Sequence, residues 1–426
     1  MFDVEKLYAD RIGGINFGKD ATVYKFEKIK RAKRAFMKEH PDIPVIDLGV
    51  GEHDDIAPAD VRDTLEQEID NPENRGYADN GIIEFQQAAA KYLNRMLGIH
   101  IPADEEAAKH VMHGIGSKGI LSLLPLTIVN PGDVTIMTVP GYPVLGTHTS
   151  YLGGRVVKVP LKEENGFLPE LEKLAQDIPD IEKEMNGKVK IFCVNYPNNP
   201  TGADANSEFW SHMVGLAHEY NFVIVHDAAY SELTYKEEPN SPLQVPGGFD
   251  VSLGVYSLSK AFNMIGYRLA FVAGNPRLIA AYGNVKDNSD SGQSIMLQKA
   301  GITALEHPEA TQLIVAKYKR RLKRLAEILN KHGFKAKMPD GTFFLYTRAP
   351  AGTKDREKFE TAEDASQYLL LQQGISVVPW DDVGHYLRFS ATFQSGDDED
   401  KKPEELDEAV FRELDRRLEK LCLKFD

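Results

Sequence analysis

Short apolar segments alternate with amphipathic segments through the middle of the chain, from about residue 110 to residue 286. The apolar segments predict strands at Val134–Val139, Arg155–Val159, Val189–Val194, Phe222–His226, Val251–Tyr256 and Leu269–Ala273. The amphipathic segments predict helices at Lys118–Val129, Glu208–Tyr220 and Pro276–Lys286. Such alternation is typical of an α/β fold with a mostly parallel sheet, which binds ligands at the carboxyl ends of its strands.

The pattern changes on both sides of this segment. Before it, helices are predicted over residues 24–40 and 84–97, with a short strand at residues 45–51 between them. After residue 293 a long helical stretch reaches about Lys331. Strands and a charged terminal helix follow, the strands near Phe343–Thr347, Ile375–Val378 and Tyr386–Ser390.

The change of pattern and the length of 426 residues predict two domains. We expect a large α/β domain over residues 45–292. A small α+β domain would combine residues 1–44 with residues 293–426, because a basic amphipathic helix near the N-terminus needs an apolar surface to cover.

Composition restricts the kind of partner. The net charge of −14 disfavours a nucleic-acid surface, which requires clustered lysine and arginine. The two cysteines, Cys193 and Cys422, suit neither a disulfide framework nor a metal site, and we predict no bound metal. The polar start of the chain does not fit a signal peptide, and no apolar run is long enough to span a bilayer. We therefore expect a soluble, cytoplasmic protein that binds neither nucleic acid nor membrane.

Ser257, Ser259 and Lys260 follow the predicted strand Val251–Tyr256, and Arg268 comes shortly after them. A lysine can form a Schiff base with an aldehyde, and the hydroxyls with the arginine can hold a phosphate. Together they suggest a phosphate-bearing aldehyde cofactor, pyridoxal 5′-phosphate (PLP). The alternative for this segment alone is a solvated turn.

Gly114, Gly116 and Gly119 fit the G-x-G-x-x-G pattern of dinucleotide-binding proteins, so a nicotinamide cofactor is an alternative. In either case the glycines open a helix whose N-terminal amides face an anion. Ser117 and Lys118 add a hydroxyl and a charge, which suit a single phosphate better than a pyrophosphate.

Further candidate residues lie at the ends of predicted strands. Tyr142 could stack on a planar cofactor, and Asn199 could donate to a ring oxygen from a rigid Pro- and Asn-rich turn. Asp227 calls for a cationic partner such as a protonated pyridine nitrogen, and Tyr230 could reach the same ring. Arg388 could bind a carboxylate in a bidentate fork. Taken singly, each has an ordinary alternative: a packed tyrosine, a plain turn, a helix cap or an exposed arginine.

The ordered set of these motifs resembles the class I and II aminotransferases, PLP enzymes of fold type I, over roughly residues 45–392. The Asn-Asn-Pro-Thr-Gly turn at residues 198–202 and the Ser-Leu-Ser-Lys segment at residues 257–260 are specific to that family. Within it, the chain is most similar to the LL-diaminopimelate aminotransferases. The similar stretches are Pro44–Gly51, Gly116–Ile120, Asn130–Val134, Glu163–Pro169 and Gly341–Leu345.

The resemblance implies a role for each matching residue. Lys260 would carry the cofactor as a Schiff base, Asp227 would pair with its pyridine nitrogen, and Tyr142 would stack on its ring. Asn199 and Tyr230 would bond the ring's phenolic oxygen. The phosphate would be held by Gly116, Ser117, Lys118, Ser257, Ser259 and Arg268.

The resemblance also implies how substrate and a second subunit are bound. Arg388 would clamp the substrate's α-carboxylate, with Asn199 and Gly51 beside the substrate. Tyr77 would reach the phosphate of a neighbouring subunit, because the family's site lies at a homodimer interface.

The activity implied is amino transfer between an amino acid and a 2-oxo acid, with 2-oxoglutarate as the expected acceptor and LL-diaminopimelate as a candidate donor in lysine biosynthesis. The loop at residues 77–81 is shorter than in the LL-diaminopimelate enzymes, and residues 51–55 also differ from theirs. Two alternatives therefore stay open. One is an aminotransferase for another amino acid, of aspartate, aromatic or alanine type, and the other is a PLP-dependent β-eliminating lyase.

Overall fold

The structure is a computed structural model, and it describes residues 4–18, 25–236, 240–354, 358–398 and 400–425. The start of the helix predicted over residues 24–40 lies outside the described residues. The strands are β1 (Ile46–Asp47), β2 (Val111–Ile115), β3 (Val134–Val139), β4 (Arg155–Pro160), β5 (Val189–Asn195), β6 (Val223–Asp227), β7 (Ser252–Ser257), β8 (Leu269–Gly274), β9 (Phe344–Arg348), β10 (Gly352–Thr353), β11 (Ile375–Ser376), β12 (Val378–Trp380), β13 (Tyr386–Ser390) and β14 (Leu423–Lys424).

The α-helices cover both faces of the largest sheet and make up much of the C-terminal region. They are α1 (Lys25–Glu39), α2 (Ala59–Ile69), α3 (Ile83–Leu97), α4 (Gly116–Ile128), α5 (Val144–Tyr151), α6 (Leu171–Met185), α7 (Ser207–Tyr220), α8 (Gly248–Val251), α9 (Leu258–Ala261), α10 (Pro276–Asp287), α11 (Ile295–Glu306), α12 (Glu309–Lys331), α13 (Ala362–Gln373) and α14 (Pro403–Glu419).

The largest sheet has seven strands in the order β2-β8-β7-β6-β5-β3-β4. Strands β4, β3, β5, β6 and β7 run parallel, and β8 is antiparallel to both of its neighbours. The predicted α/β class with a mostly parallel sheet is therefore confirmed. The exception at β8 follows from its connection to β7, which holds only the short helix α9 and a turn, whereas a parallel pair needs a long crossover.

Several elements differ from the pattern-based expectation, and two of them have a clear physical reason. Strand β2 was not predicted, because its five residues include Gly114 and follow a short polar stretch, so the segment lacks a clear apolar run. The long helical stretch after residue 293 is two helices, α11 and α12. They separate at His307, whose backbone is driven out of the helical region by the following Pro308.

The C-terminal region has its own small sheets, and the chain near residue 46 joins one of them. The three-stranded sheet has the order β12-β13-β9, and β1 pairs in parallel with β11. Ile46 and Leu48 pack in the same buried apolar cluster as α12 and β13. The segment that leaves β1, residues 48–55, therefore passes between the C-terminal region and the carboxyl edge of the large sheet.

Candidate active site

A cavity of about 220 Å³ opens at the carboxyl ends of β5, β6 and β7. Its walls come from the strand ends and from the starts of the helices that follow them. The lining residues are Ser117, Lys118, Tyr142, Asn195, Asn199, Asp227, Ala229, Tyr230, Ser257, Ser259, Lys260, Ile265 and Arg268. The structure thus brings together in one cavity residues that lie up to about 150 positions apart in the sequence.

Asp227 ends β6 at the floor of this cavity. Its side chain is 5% exposed, and its Oδ1 has no hydrogen-bond partner among the residues that the structure describes. Burial raises the pKa of Asp227 from 3.8 to about 7, and a backbone hydrogen bond from Ala229 offsets only part of that rise. A buried carboxylate without a cationic partner is costly, so this one is suited to a cation supplied by a ligand.

Asn195 ties two of the site's elements together, a role that the sequence alone did not suggest. Its Nδ2 donates to the carbonyl oxygen of Asp227 at 2.7 Å, and its Oδ1 accepts from the backbone N–H of Asn199 at 2.8 Å. The position is buried, so both bonds are sheltered from water. The only sequence signal for it is that Asn195 starts the Pro- and Asn-rich turn.

Lys260 lies on the one-turn helix α9, directly after β7. Its Nζ donates a hydrogen bond of 2.7 Å to the carbonyl oxygen of Gly51. Burial lowers the pKa of Lys260 from 10.5 to about 8, the charges of Arg388 and Arg268 lower it further, and Glu52 opposes them. An amine with that pKa is neutral in a useful fraction of molecules near pH 8, as a nucleophile or base must be.

A surface of hydroxyls and positive charges suited to an anion lines the same cavity as Lys260. Ser257 Oγ accepts from the N–H of Ser259 at 3.2 Å, and Arg268 donates to the carbonyl of Ile265 at 2.9 Å. Ser117 and Lys118 add a hydroxyl and a charge from the first turn of α4, where the helix amides also point outward. Neither Arg268 nor Lys118 makes an ion pair within the described part of the chain, so both charges are available to an anion.

Gly116 lies outside the cavity lining but leaves room for this surface. Its backbone is left-handed, with φ of 70°, and a Cβ there would lie 2.2 Å from Arg268 Nη2. The glycine therefore lets the guanidinium approach the start of α4.

Arg388 lies at the opposite side of the cavity on β13. Its guanidinium donates to Asn199 Oδ1 and to the carbonyl of Gly49, both at 2.8 Å. Burial lowers the pKa of Arg388 to about 10, which still leaves it charged at neutral pH. The side chain of Arg388 is buried with no carboxylate beside it in the described residues, so a carboxylate ligand would complete its pairing.

Tyr142 and Tyr230 flank the space between Lys260 and Arg388. Tyr230 is buried, its ring packs edge-on against Phe343 and Phe344, and burial raises its pKa. Tyr142 is 40% exposed and also lines a second cavity of about 380 Å³ that reaches Arg388.

Tyr77 does not reach the cavity of its own chain. It is 84% exposed on the loop before α3. Its exposure is compatible with the expectation that it contacts a second subunit.

Behind Lys260, helix α12 holds residues 53 and 54 in a buried polar cluster that the sequence did not reveal. We call His53, Asp54, Lys317, Tyr318 and Arg321 the α12 anchor. Asp54 accepts from the Tyr318 hydroxyl at 3.0 Å and from Lys317 at 2.7 Å, and it lies 2.9 Å from Arg321. Burial acts to raise the pKa of Asp54, but Arg321 and Lys317 outweigh it, so that pKa is lowered.

The anchor also fixes the state of His53. The Tyr318 hydroxyl donates to the carboxylate of Asp54, so its oxygen accepts from Nδ1–H of His53, 2.8 Å away. Burial and then the charge of Lys260 lower the pKa of His53 to about 3. His53 is therefore neutral at physiological pH, with its proton on Nδ1.

Comparison with known proteins identifies the fold and the family. Among solved structures, substrate-bound BacF from Bacillus subtilis matches with a TM-score of 0.83 and 29% identity over 98% of each chain. A mutant aspartate aminotransferase from Thermus thermophilus matches with a TM-score of 0.78 and 26% identity, over 96% of this chain and 99% of that one. The chain thus has the α/β fold of these transferases, fold type I, with the candidate lysine at the end of β7.

The family follows from the sequence comparisons. The model of the family aminotransferase class I and II matches residues 43–399, and the chain belongs to that family. An LL-diaminopimelate aminotransferase of Methanocaldococcus jannaschii is 48% identical over 425 residues, 99% of each chain. One of Aquifex aeolicus is 38% identical over 366 residues, 85% of this chain and 89% of that one. The protein is therefore a PLP-dependent aminotransferase, which acts on amino acids and 2-oxo acids.

The cavity fits PLP by its chemistry. The orphaned oxygen of Asp227 suits a protonated ring nitrogen, and the unpaired charges of Lys118 and Arg268 suit a phosphate. The amine of Lys260 lies on the same wall as Ser257, so one ligand could contact all of these groups. A pyrophosphate-bearing nicotinamide cofactor, the alternative raised by the glycine pattern, does not call for the lysine.

No group of three or more histidine, cysteine, aspartate or glutamate side chains in the described ranges could hold a metal ion. No helix in the described part of the chain has both the length and the apolar character needed to cross a membrane.

Proposed function

We propose that the protein transfers an amino group from LL-diaminopimelate to 2-oxoglutarate, a step of lysine biosynthesis. The observation that carries this choice of donor is the 48% identity, over 99% of both chains, to an enzyme named for that substrate. A second relative so named, from Methanococcus maripaludis, is 46% identical over 99% of both chains. The match spans the full length and so covers the loops around the cavity, where side-chain specificity arises.

We further propose the residue roles within the cavity. The ring of PLP would lie between Asp227 at its nitrogen and Tyr142 on its face, with Asn199 and Tyr230 at its phenolic oxygen. The phosphate would be held by Gly116, Ser117, Lys118, Ser257, Ser259 and Arg268. Support comes from the shared cavity lining and from the cations that lack an ion-pair partner among the described residues.

When bound, PLP supplies an aldehyde that condenses with amines and a ring that accepts an electron pair. Lys260 would hold that aldehyde, and once its amine is free its neutral Nζ would take the proton from the substrate's Cα. The same nitrogen would hold that proton for its return during the transfer. The lowered pKa of Lys260, about 8, supports this role because a protonated amine could not act as the base.

Arg388 would orient the donor. Its guanidinium, already held by Asn199 and the carbonyl of Gly49, would bind the α-carboxylate as a bidentate fork. Retaining that carboxylate favours transamination over decarboxylation. Gly51 would lie beside the substrate, because its carbonyl already contacts Lys260 Nζ.

We propose, in addition, a cytoplasmic homodimer with shared sites, in which Tyr77 reaches the phosphate of the second subunit. The exposure of Tyr77 supports this arrangement. We also propose that the chain forms two domains. The large domain would comprise residues 45–292, and the small domain residues 1–44 with 293–426.

The cofactor assignment is tested by spectroscopy. The purified protein with PLP should have a visible absorbance band that borohydride removes, and peptide mapping should then find the modification on Lys260. Modification of another lysine would contradict the proposed attachment.

The donor is tested with a panel of amino acids against 2-oxoglutarate. LL-diaminopimelate should have the highest kcat/KM, above glutamate, aspartate, alanine and aromatic amino acids. A higher value for a monoamino donor would refute the proposed substrate, and release of ammonia without an acceptor would indicate a β-eliminating lyase.

A further inference from the structure

Residues 49–51 lie between Arg388 and Lys260, the two groups that would bind the carboxylate and the amino group of an amino acid. Arg388 donates to the carbonyl of Gly49, and Lys260 donates to the carbonyl of Gly51. An amino acid with its α-carboxylate on Arg388 and its α-amino group at Lys260 must therefore lie alongside this segment. The next residue in the chain is Glu52, whose backbone directly follows the carbonyl that Lys260 contacts.

The backbone around Glu52 is held in a fixed position on both sides. Gly51 packs so closely on Phe344 that an added Cβ would lie 2.9 Å from the ring. On the other side, His53 and Asp54 belong to the α12 anchor and are bonded to Tyr318, Lys317 and Arg321. Glu52 is therefore presented from a rigid segment, which favours precise recognition.

Glu52 is the carboxylate of this segment that no cation occupies. Asp54 is paired with Lys317 and Arg321, and Asp55 is paired with Lys317. Glu52 is exposed, and in the described part of the chain it has no hydrogen bond or ion pair. Its negative charge nevertheless acts on Lys260, because it raises the pKa of that amine against the effects of burial and two arginines.

We propose that Glu52 is a specificity-determining residue, which binds a second ammonium group on the side chain of the amino donor. The proposal rests on the proposed function, since LL-diaminopimelate carries such a group. LL-diaminopimelate gains an ion pair at Glu52 through its distal ammonium, which offsets the repulsion of its distal carboxylate, whereas glutamate brings a carboxylate alone and meets a like charge. The segment thereby distinguishes a diamino donor from the dicarboxylic amino acid formed from 2-oxoglutarate.

The test compares Glu52→Gln with the wild type in both half-reactions. The variant should raise KM for LL-diaminopimelate by up to about fivefold, the size of one exposed charge pair, with kcat changed less than about twofold. KM for glutamate should stay the same or fall. Glu52→Asp, which keeps the charge, should recover most of the preference.

Asp55→Asn is the matched control. It removes the same charge three residues further along the chain, from a carboxylate that already has a cation. It should leave KM for both donors at the wild-type value. If Asp55→Asn raised KM for LL-diaminopimelate as much as Glu52→Gln does, the rise in KM would come from the loss of any negative charge in this segment. The proposal would then be wrong.

A second measurement uses the protein without cofactor. Competitive labelling of Lys260 with acetic anhydride across a pH series, read by mass spectrometry, reports the pKa of its amine. Glu52→Gln should lower that pKa, because a neighbouring negative charge is lost, and Asp55→Asn should not. An unchanged pKa in Glu52→Gln would show that the carboxylate does not face Lys260 and would overturn the proposal.

The two proposals can fail separately. If the wild type uses LL-diaminopimelate and Glu52→Gln does so with the same KM, the role of Glu52 is refuted and the proposed function stands. If the wild type prefers monoamino donors, the proposed function is refuted, and the role of Glu52 falls with it.

Discussion

Two buried carboxylates on either side of Lys260 have opposite surroundings. Asp54, in the α12 anchor, accepts a hydrogen bond from Tyr318 and is paired with Lys317 and Arg321. Asp227, on the floor of the cavity, has an oxygen with no partner in the described structure. The pKa of Asp54 is lowered in consequence, and that of Asp227 is raised to about 7.

The arginines of the two regions differ in the same way. Arg321 is buried between Asp54 and Asp407, and its hydrogen bonds to Asp407 are 2.6 and 2.9 Å long. Arg388 is also buried, but among the described residues its acceptors are an amide oxygen and a carbonyl oxygen. Removing one partner of a buried ion pair destabilises the fold, whereas a buried charge that lacks its counterpart is a candidate for binding a ligand. We therefore expect mutations in the anchor to reduce stability and mutations in the cavity to reduce binding and turnover.

The largest effect is expected in the cavity, from Lys260→Ala. Loss of the group that moves the Cα proton should reduce kcat by about 10⁴-fold, and the fold should lose little because the amine forms no ion pair. Stopped-flow turnover and thermal unfolding would be measured together. Lys299→Ala, which removes a partly exposed lysine paired with Glu68, is the control and should keep its turnover. A Lys260→Ala variant with turnover within tenfold of the wild type would disprove its role.

The next effect is expected in the anchor, from Asp54→Asn. It leaves Arg321 and Lys317 without one of their anions, and breaking a buried ion pair typically costs about 3–5 kcal/mol of unfolding free energy. Urea unfolding would measure it. Asp63→Asn, on helix α2, removes a carboxylate for which the described part of the chain has no ion pair, and it should change the free energy by less than about 0.5 kcal/mol. Equal stability of Asp54→Asn and the wild type would contradict the comparison.

The smallest effect is expected from Asp227→Asn in the protein without cofactor, and it depends on pH. The pKa of Asp227 rises from 3.8 to about 7 on folding, so the folded state binds more protons between these values. Stability from this group is complete below pH 3.8 and is lost as the pH rises towards 7. The Asp227→Asn variant should not lose this stability. Its free energy of unfolding should therefore change less between pH 4 and pH 7 than that of the wild type.

A matched measurement completes this test. With PLP added, the wild type should gain more stability than Asp227→Asn, since only the carboxylate can pair with a protonated ring nitrogen. If the two proteins had the same pH profile without cofactor, Asp227 would not be an uncompensated carboxylate.

The cavity was largely predictable because its residues occur in short local motifs. Asp227 and Lys260 each end or directly follow an apolar strand, and strand ends of a parallel sheet meet at one edge. The fold class followed from the same alternation. Asn195 was missed, although it starts a recognised turn, because its two hydrogen bonds connect backbones that only the folded sheet brings together.

The anchor was not predictable from the sequence. Asp54 and Arg321 are separated by more than 260 positions, and neither belongs to a motif. The same applies to the parallel pairing of β1 with β11, which guides residues 48–55 to the cavity. The sequence by itself determined most strands of the large sheet, several helices and the chemistry at the strand ends, because these depend on neighbours along the chain. Only the tertiary structure decided which charges are paired, because pairing depends on distances across the fold. It pairs Asp54 with Lys317 and Arg321, and among the described residues it gives neither Glu52 nor Asp227 a cation.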